Sequence, residues 1–379
     1  MKLVVVNLAF AADLLGPDDL LTRYHSLVGW ADALTQAGAS VTVVQAFTHD
    51  EHRHRRGVDY IFCRTRRSSF LPDDGVRAAV QAAEPDVVHV NGLDAPMQAW
   101  WLRRALAPAA ALVVQDHAGT PTRPGTLRAS LRRRAMRAPD AFLFTTWEQA
   151  APWLEGGFIR EAWRVQTVLE ASTTVEPIEP SRARAQVGLT GAPAIVWVGR
   201  LTPNKDPLVV LEGIERAAAV LPDLTCSMLF SDRTLLAAVQ DRVDGSRVLR
   251  PRVRLVGEVP HGDIAAWLSA ADVFVLGSHH EGSGYAAIEA CACGAEPVLT
   301  DIPSFRFITG GGAIGAHWPP GDAVRLSEAL VAASGASRAR GRAVVRAHFD
   351  RQLSWTAVGA RALEIYRHVL ERRRSPQGH

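Results

Sequence analysis

From Lys2 to about Leu169 the chain alternates short apolar runs with longer segments of helical period. The runs LVVVN, VTVVQ, DVVHV, ALVVQ, AFLFT and VQTVL are apolar at nearly every position. That continuity predicts strands covered on both faces, as in a parallel sheet. Between them lie stretches such as LLTRYHSLVGWADALTQAG, with apolar residues at helical spacing. Such alternation predicts a doubly wound α/β domain. The stretch ASTTVEPIEPSRAR is rich in Pro, Glu, Ser and Thr and has no apolar period, so it reads as a linker. The alternation then restarts with AIVWVG, CSMLF, VRLVG, DVFVLG and PVLT. The expectation is a first domain over 1–172, a linker over 173–185, a second domain over 186–352 and a last helix over 353–379. That helix has apolar positions at Val358, Ala362, Ile365, Tyr366 and Val369, with Trp355 as its anchor.

Composition narrows the class. An apolar share of 47% with 21% charged residues suits a globular enzyme, and a net charge of +3 gives no reason to expect nucleic acid. Cysteines at 63, 226, 291 and 293 make neither a disulfide framework nor a zinc pattern, so free thiols in a reducing, cytoplasmic setting are expected. The opening MKLVVVNLAFAA reads as a first strand, because Asn7 interrupts the apolar run that a signal peptide would need. No run reaches the roughly 20 apolar residues of a membrane span. The segment TLRASLRRRAMRAPD reads as a basic amphipathic helix, with Arg128, Arg132, Arg133, Arg134 and Arg137 opposite Leu127, Leu131 and Ala135. It is either a solvated face or a peripheral contact with the inner face of a membrane. HRHRRGVDYIFCRTRR is a second basic patch, with less amphipathicity.

The chemistry is expected in HHEGSGYAAIEACACGAEP, residues 279–297. A strand ending near Ser278 feeds a loop with Gly282 and Gly284, and a helix begins at about Gly284. Open α/β sheets bind ligands at the carboxyl ends of their strands, and a helix N-terminus there suits a phosphate. Glu289 is the only charged residue in an otherwise apolar helix, so it needs hydrogen-bond donors, and paired ribose hydroxyls would supply them. Glu281, in the loop, would meet whatever lies beyond the phosphates. Arg200 and Lys205 follow another strand end and could clasp a diphosphate. In the first half, His89 and Asn91, and then Asp116 and His117, stand at strand ends, and Gly16 lies in the first loop. No GxGxxG follows the first strand.

The stretch EGSGYAAIEACACGAEPVLT resembles the Glu-x7-Glu signature of retaining glycosyltransferases of family 4, and GRLTPNKDP resembles that family's second signature. The resemblance implies a GT-B fold: two Rossmann-like doubly wound domains facing a cleft, with the C-terminal helix crossing back to the first. It implies a nucleotide-diphosphate sugar as donor, with Glu289 on the ribose, Glu281 on the transferred sugar, and Gly282, Ser283, Gly284 and Tyr285 on the diphosphate. It places Arg200 and Lys205 on that diphosphate too. His117 becomes a catalytic group at the donor sugar, and Gly16, His89 and Asn91 become acceptor-side candidates. The implied reaction is metal-independent, needs no cofactor, and proceeds by front-face attack of an acceptor hydroxyl belonging to a glycan, a lipid-linked sugar or a small molecule. Two other readings stay open. A hydrolase or epimerase of nucleotide sugars could use the same scaffold, its two carboxyls standing about 5 to 9.5 Å apart. A non-catalytic nucleotide-sugar-binding protein could use it as well.

Overall fold

The computed structural model of the chain describes residues 1–65, 71–117, 119–121 and 125–375. It divides into two units, Met1–Ala171 with Trp355–His379, and Ser172–Ser354.

The first unit is built on an eight-stranded sheet in the order β3-β4-β2-β1-β5-β6-β7-β8. Its strands are β1 (Lys2–Asn7), β2 (Ser40–Phe47), β3 (Glu51–Arg55), β4 (Val58–Arg64), β5 (Val87–Asn91), β6 (Ala111–Gln115), β7 (Ala141–Phe144) and β8 (Val165–Thr167). All pair in parallel except β3, which runs antiparallel on the edge. The opening residues are thus a central strand. The basic patch read from residue 52 onward is largely the β3-β4 hairpin, turning at Arg56 and Gly57, both with positive φ. The charged strand β3 covers the sheet edge, a common way to blunt it. Arg66 and Arg67 of that patch lie outside the described residues.

The last helix, Trp355–Arg374, belongs to this unit and packs on the helix His25–Gln36. Glycines allow the close approach: a Cβ on Gly29 would lie 2.4 Å from the Trp355 ring, and one on Gly359 would lie 2.7 Å from the Ala33 carbonyl oxygen. The helix Leu127–Ala135 differs from its expected face. Ala129 and Ala135 are buried, whereas Leu127 and Leu131 are 79% and 40% exposed. Two of its arginines work inward. Arg132 sits 4.8 Å from the Trp153 ring and donates to the Leu93 carbonyl at 2.7 Å, and Arg133 stacks on Phe158 and donates to the Gly156 carbonyl at 2.9 Å.

The second unit holds a six-stranded parallel sheet in the order β11-β10-β9-β12-β13-β14. Its strands are β9 (Ala194–Gly199), β10 (Thr225–Phe230), β11 (Val253–Gly257), β12 (Val273–Leu276), β13 (Glu296–Thr300) and β14 (Ala316–Trp318). The stretch read as a linker contains regular structure, which corrects that expectation. Residues Pro180–Val187 form a helix packed on Ile264–Ala270. Glu179 starts it by accepting from the Ser181 and Arg182 amides, with Pro180 in the first turn where its missing N–H costs nothing. All four cysteines are free and buried. Among the described residues, no helix is long and apolar enough to cross a membrane.

Candidate functional site

Strand order reverses between β9 and β12, so the loops after these two strands leave the sheet at its switch point, where open α/β sheets bind ligands. Asn204 zips the two loops together. Its carbonyl accepts from the His279 amide at 2.9 Å, and its side chain exchanges hydrogen bonds with the His280 backbone at 2.9 and 3.1 Å. His279 Nε2 lies 2.9 Å from Asp206 Oδ2. Lys205 is thereby carried to Glu281. Its ammonium donates to Glu281 Oε1, which also accepts from the Ser278 hydroxyl at 2.6 Å. Both partners of this ion pair are only 13% exposed.

The turn into the helix Tyr285–Ala292 depends on Gly284, which caps it with φ +66. A Cβ there would lie 2.8 Å from Phe305 and 2.9 Å from Ile308. Gly284→Ala is therefore expected to cost about 2 kcal/mol or more, combining the left-handed penalty with overpacking. Denaturant unfolding checks this, and an unchanged midpoint would count against it.

Glu289 sits one turn into the helix with its side chain only 4% exposed. Burial pushes its carboxyl up to about 7, opposed by a hydrogen bond from Thr173. Thr173 also hydrogen-bonds Tyr285, whose hydroxyl is raised by burial and then by the nearby Glu289. Among the described residues Glu289 Oε1 is buried without a hydrogen-bond partner, and His261 Nε2 stands 3.6 Å away, beyond bonding distance. A cavity of about 490 Å³ gathers Arg200, Lys205, Glu281, Gly284, Tyr285 and Glu289, with His261 and Glu258 on its wall. Gly282 and Ser283 lie in the turn just before Gly284.

In the first unit the candidates separate. His117 is held between Glu170 Oε2, 2.6 Å from Nδ1, and Asn91 Oδ1, 2.5 Å from Nε2. Burial pulls its pKa down, but Glu170, through its hydrogen bond and charge, and then Asp116 and Asp94 outweigh it, and the net shift is upward. A doubly protonated imidazolium satisfies both acceptors. His89 does not join them. It is buried, its Nδ1 lies 2.5 Å from the Tyr366 hydroxyl, and its ring packs edge-on against Trp30. Burial and then the charge of His117 push it down to about 3. Helices cover that face of β5, so His89 is a neutral core residue and not an acceptor-side group. Gly16 precedes the helix Pro17–Arg23 in extended backbone that any residue adopts. Asp116 is buried and accepts from the Gly119 amide at 3.0 Å, while part of the loop beyond it lies outside the described residues.

Four contributors escape the motifs: Thr173 and His261 beside Glu289, Ser278 beside Glu281, and Glu170 beside His117. Glu170 had a usable signal, since it is an isolated carboxylate after the apolar run VQTVL. Thr173 stands 116 positions from Glu289, and no spacing rule joins them.

Two Rossmann-like units on parallel sheets, the last helix packed in the first, make this the GT-B fold. Within the second unit, residues 192–334 match the family described as Glycosyl transferases group 1. The chain is 29% identical over 220 residues to D-inositol 3-phosphate glycosyltransferase of Thermobispora bispora, covering 52% of this chain and 48% of that protein. It spans about half the length of the curated relatives it matches. Among solved structures, sucrose-phosphate synthase of Thermosynechococcus elongatus aligns with a TM-score of 0.68 at 20% identity, over 97% of this chain and 99% of that one. HepE of Anabaena in complex with UDP aligns with a TM-score of 0.69 at 15% identity, over 97% and 100%.

Proposed function

We propose that the protein is a retaining glycosyltransferase that moves a sugar from a nucleotide-diphosphate sugar to an acceptor hydroxyl without a metal. The observation that carries this reading is the buried Glu289 Oε1, without a hydrogen-bond partner among the described residues, facing a cavity that also holds Arg200 and Lys205. A ribose diol would supply the missing donors. The diphosphate would lie against the amides of Gly282 to Tyr285, with the two cations offsetting the charge that grows on the leaving group. Glu281 is assigned to the transferred sugar and His117 to catalysis from the first unit, with Asn91 and Gly16 on the acceptor side. HepE was solved with UDP, which supports a nucleotide as the guest of this cavity. Front-face attack by the acceptor hydroxyl is the mechanism that the family resemblance implies. Arg128 and Arg134, beside the exposed Leu127 and Leu131, are the groups a lipid-linked acceptor's membrane would meet.

Screening UDP-, GDP- and ADP-sugars by thermal shift tests the reading. A true donor at a hundredfold its Kd should stabilise the fold by about 2.7 kcal/mol. Transfer should persist in EDTA. No response to any nucleotide sugar would remove the proposal, and a strict need for magnesium or manganese would remove its metal independence.

A further inference from the structure

A second cavity, of about 310 Å³, opens in the first unit at the amino ends of β7 and β8. Asn91 and His117 stand at the carboxyl ends of β5 and β6, so this cavity lies at the opposite edge of the sheet. Among the described residues, five arginines line it, with His368 and one carboxylate, Asp140.

Three of the five are spent on the fold. Arg103 donates to the Ala110 and Ala107 carbonyls at 2.7 and 2.9 Å and pairs with Asp140. Arg373, in the last helix, donates to the Pro108 carbonyl at 2.8 Å and to the other oxygen of Asp140. Arg164 donates to the Arg137 and Pro139 carbonyls, both at 3.3 Å, and pairs with Glu161 at 3.2 Å. These contacts staple the helix end to the sheet. Arg137 and Arg372 are different. Among the described residues their guanidinium groups have no hydrogen-bonding partner, and Arg372 is held 4.1 Å from the ring of Trp163, itself half exposed.

Gathering five arginines against Asp140 and the neighbouring Glu161 is costly, and Arg103 shows it: burial and then Arg373 hold its pKa below the usual value. Stapling needs only three of them. The remaining two are planar forks whose geometry suits phosphate oxygens, one already fixed by stacking. The volume sits at the lower end of the ~300 to 1,000 Å³ range of small-molecule pockets. It is large enough for one compact molecule.

We infer that this pocket binds a small phosphate-bearing molecule, its phosphate held by Arg137 and Arg372 and its body resting on Trp163, Pro139 and Val369. The site is separate from the donor cavity of the second unit and does not depend on the reading given to that cavity.

Calorimetric titration of the full chain with inorganic pyrophosphate at physiological salt tests this. Because the donor cavity could also take the probe, the titration is run on wild type, on Arg200→Ala/Lys205→Ala and on Arg137→Ala/Arg372→Ala. Binding should survive the first double variant, and adding Arg137→Ala/Arg372→Ala to that background should weaken it at least tenfold. Arg372→Glu, a single surface change, should weaken it equally and serves if the combined variant melts early. Pyrophosphate binding that is lost with Arg200 and Lys205 but kept without Arg137 and Arg372 would overturn the inference, as would no binding to wild type. A parallel sedimentation arm uses vesicles of phosphatidylglycerol and phosphatidylcholine. Arg137- and Arg372-dependent sedimentation without pyrophosphate binding would assign these arginines to a lipid headgroup and likewise overturn the small-molecule site.

Discussion

Glu289→Ala is expected to weaken nucleoside diphosphate binding by roughly ten- to a hundredfold, because hydrogen bonds to a charged acceptor are worth about 1.5 to 3 kcal/mol each. The same residue should leave a pH signature on the free protein. Its carboxyl is raised from 4.5 to about 7 by burial, so between those values the folded chain keeps a proton that the unfolded chain has lost. Stability from this group is fully present below pH 4.5 and is lost as pH rises through 7. The loss is on the order of 3 kcal/mol. Glu289→Gln should remove this slope, which the difference between wild-type and variant unfolding curves isolates from other groups. Ligand affinity should run the other way: a diol donating to Glu289 prefers the ionised form, so wild type should bind more tightly at pH 8 than at pH 6. Parallel unfolding curves for wild type and Glu289→Gln from pH 4.5 to 7 would dismiss the buried carboxyl as their cause.

The parallel strands were legible because strands covered on both faces must be apolar at nearly every position, and runs such as LVVVN and AIVWV leave no other reading. The β3-β4 hairpin was hidden by the same logic: β3 reads EHRHR, an exposed edge strand whose charges mask its period. Which strand end carries chemistry was only half legible. His89 and Asn91 share one face of β5, yet Trp30 and Tyr366 close over the first while the second reaches His117. That difference is set by helices distant in sequence. The helix at 127–135 shows how propensity gives way to packing, since its small residues Ala129 and Ala135 are buried and Leu127 is not. In the second unit the glycine turn and the apolar helix made Glu281 legible as a loop residue and Glu289 as a buried helix residue. Thr173 and His261 entered only when the sheet brought separate segments to one wall.

The largest coupled effect is expected at Lys205 and Glu281. Each is 13% exposed, and removing one leaves the other charged and largely out of water, a loss of about 3 to 5 kcal/mol for a buried pair. Lys205→Met and Glu281→Gln should therefore each destabilise strongly, while the double variant should lose less than their sum. Function should separate the partners. Lys205 is one of two lysines in a chain whose other cations are arginine, and its compact ammonium can turn from Glu281 to a phosphate oxygen at the loop end. Arginine would keep the charge, but its planar fork is larger than the ammonium that donates to Glu281 here. Lys205→Arg should accordingly retain most of its melting temperature yet lose transfer rate by more than its stability change explains. Glu281→Gln should reduce turnover more than nucleoside diphosphate affinity. Rate, affinity and melting temperature are measured together on all four variants. A Lys205→Arg protein with unimpaired transfer would reduce the lysine to an accident of composition, and strictly additive stabilities would deny the pair its place in the site.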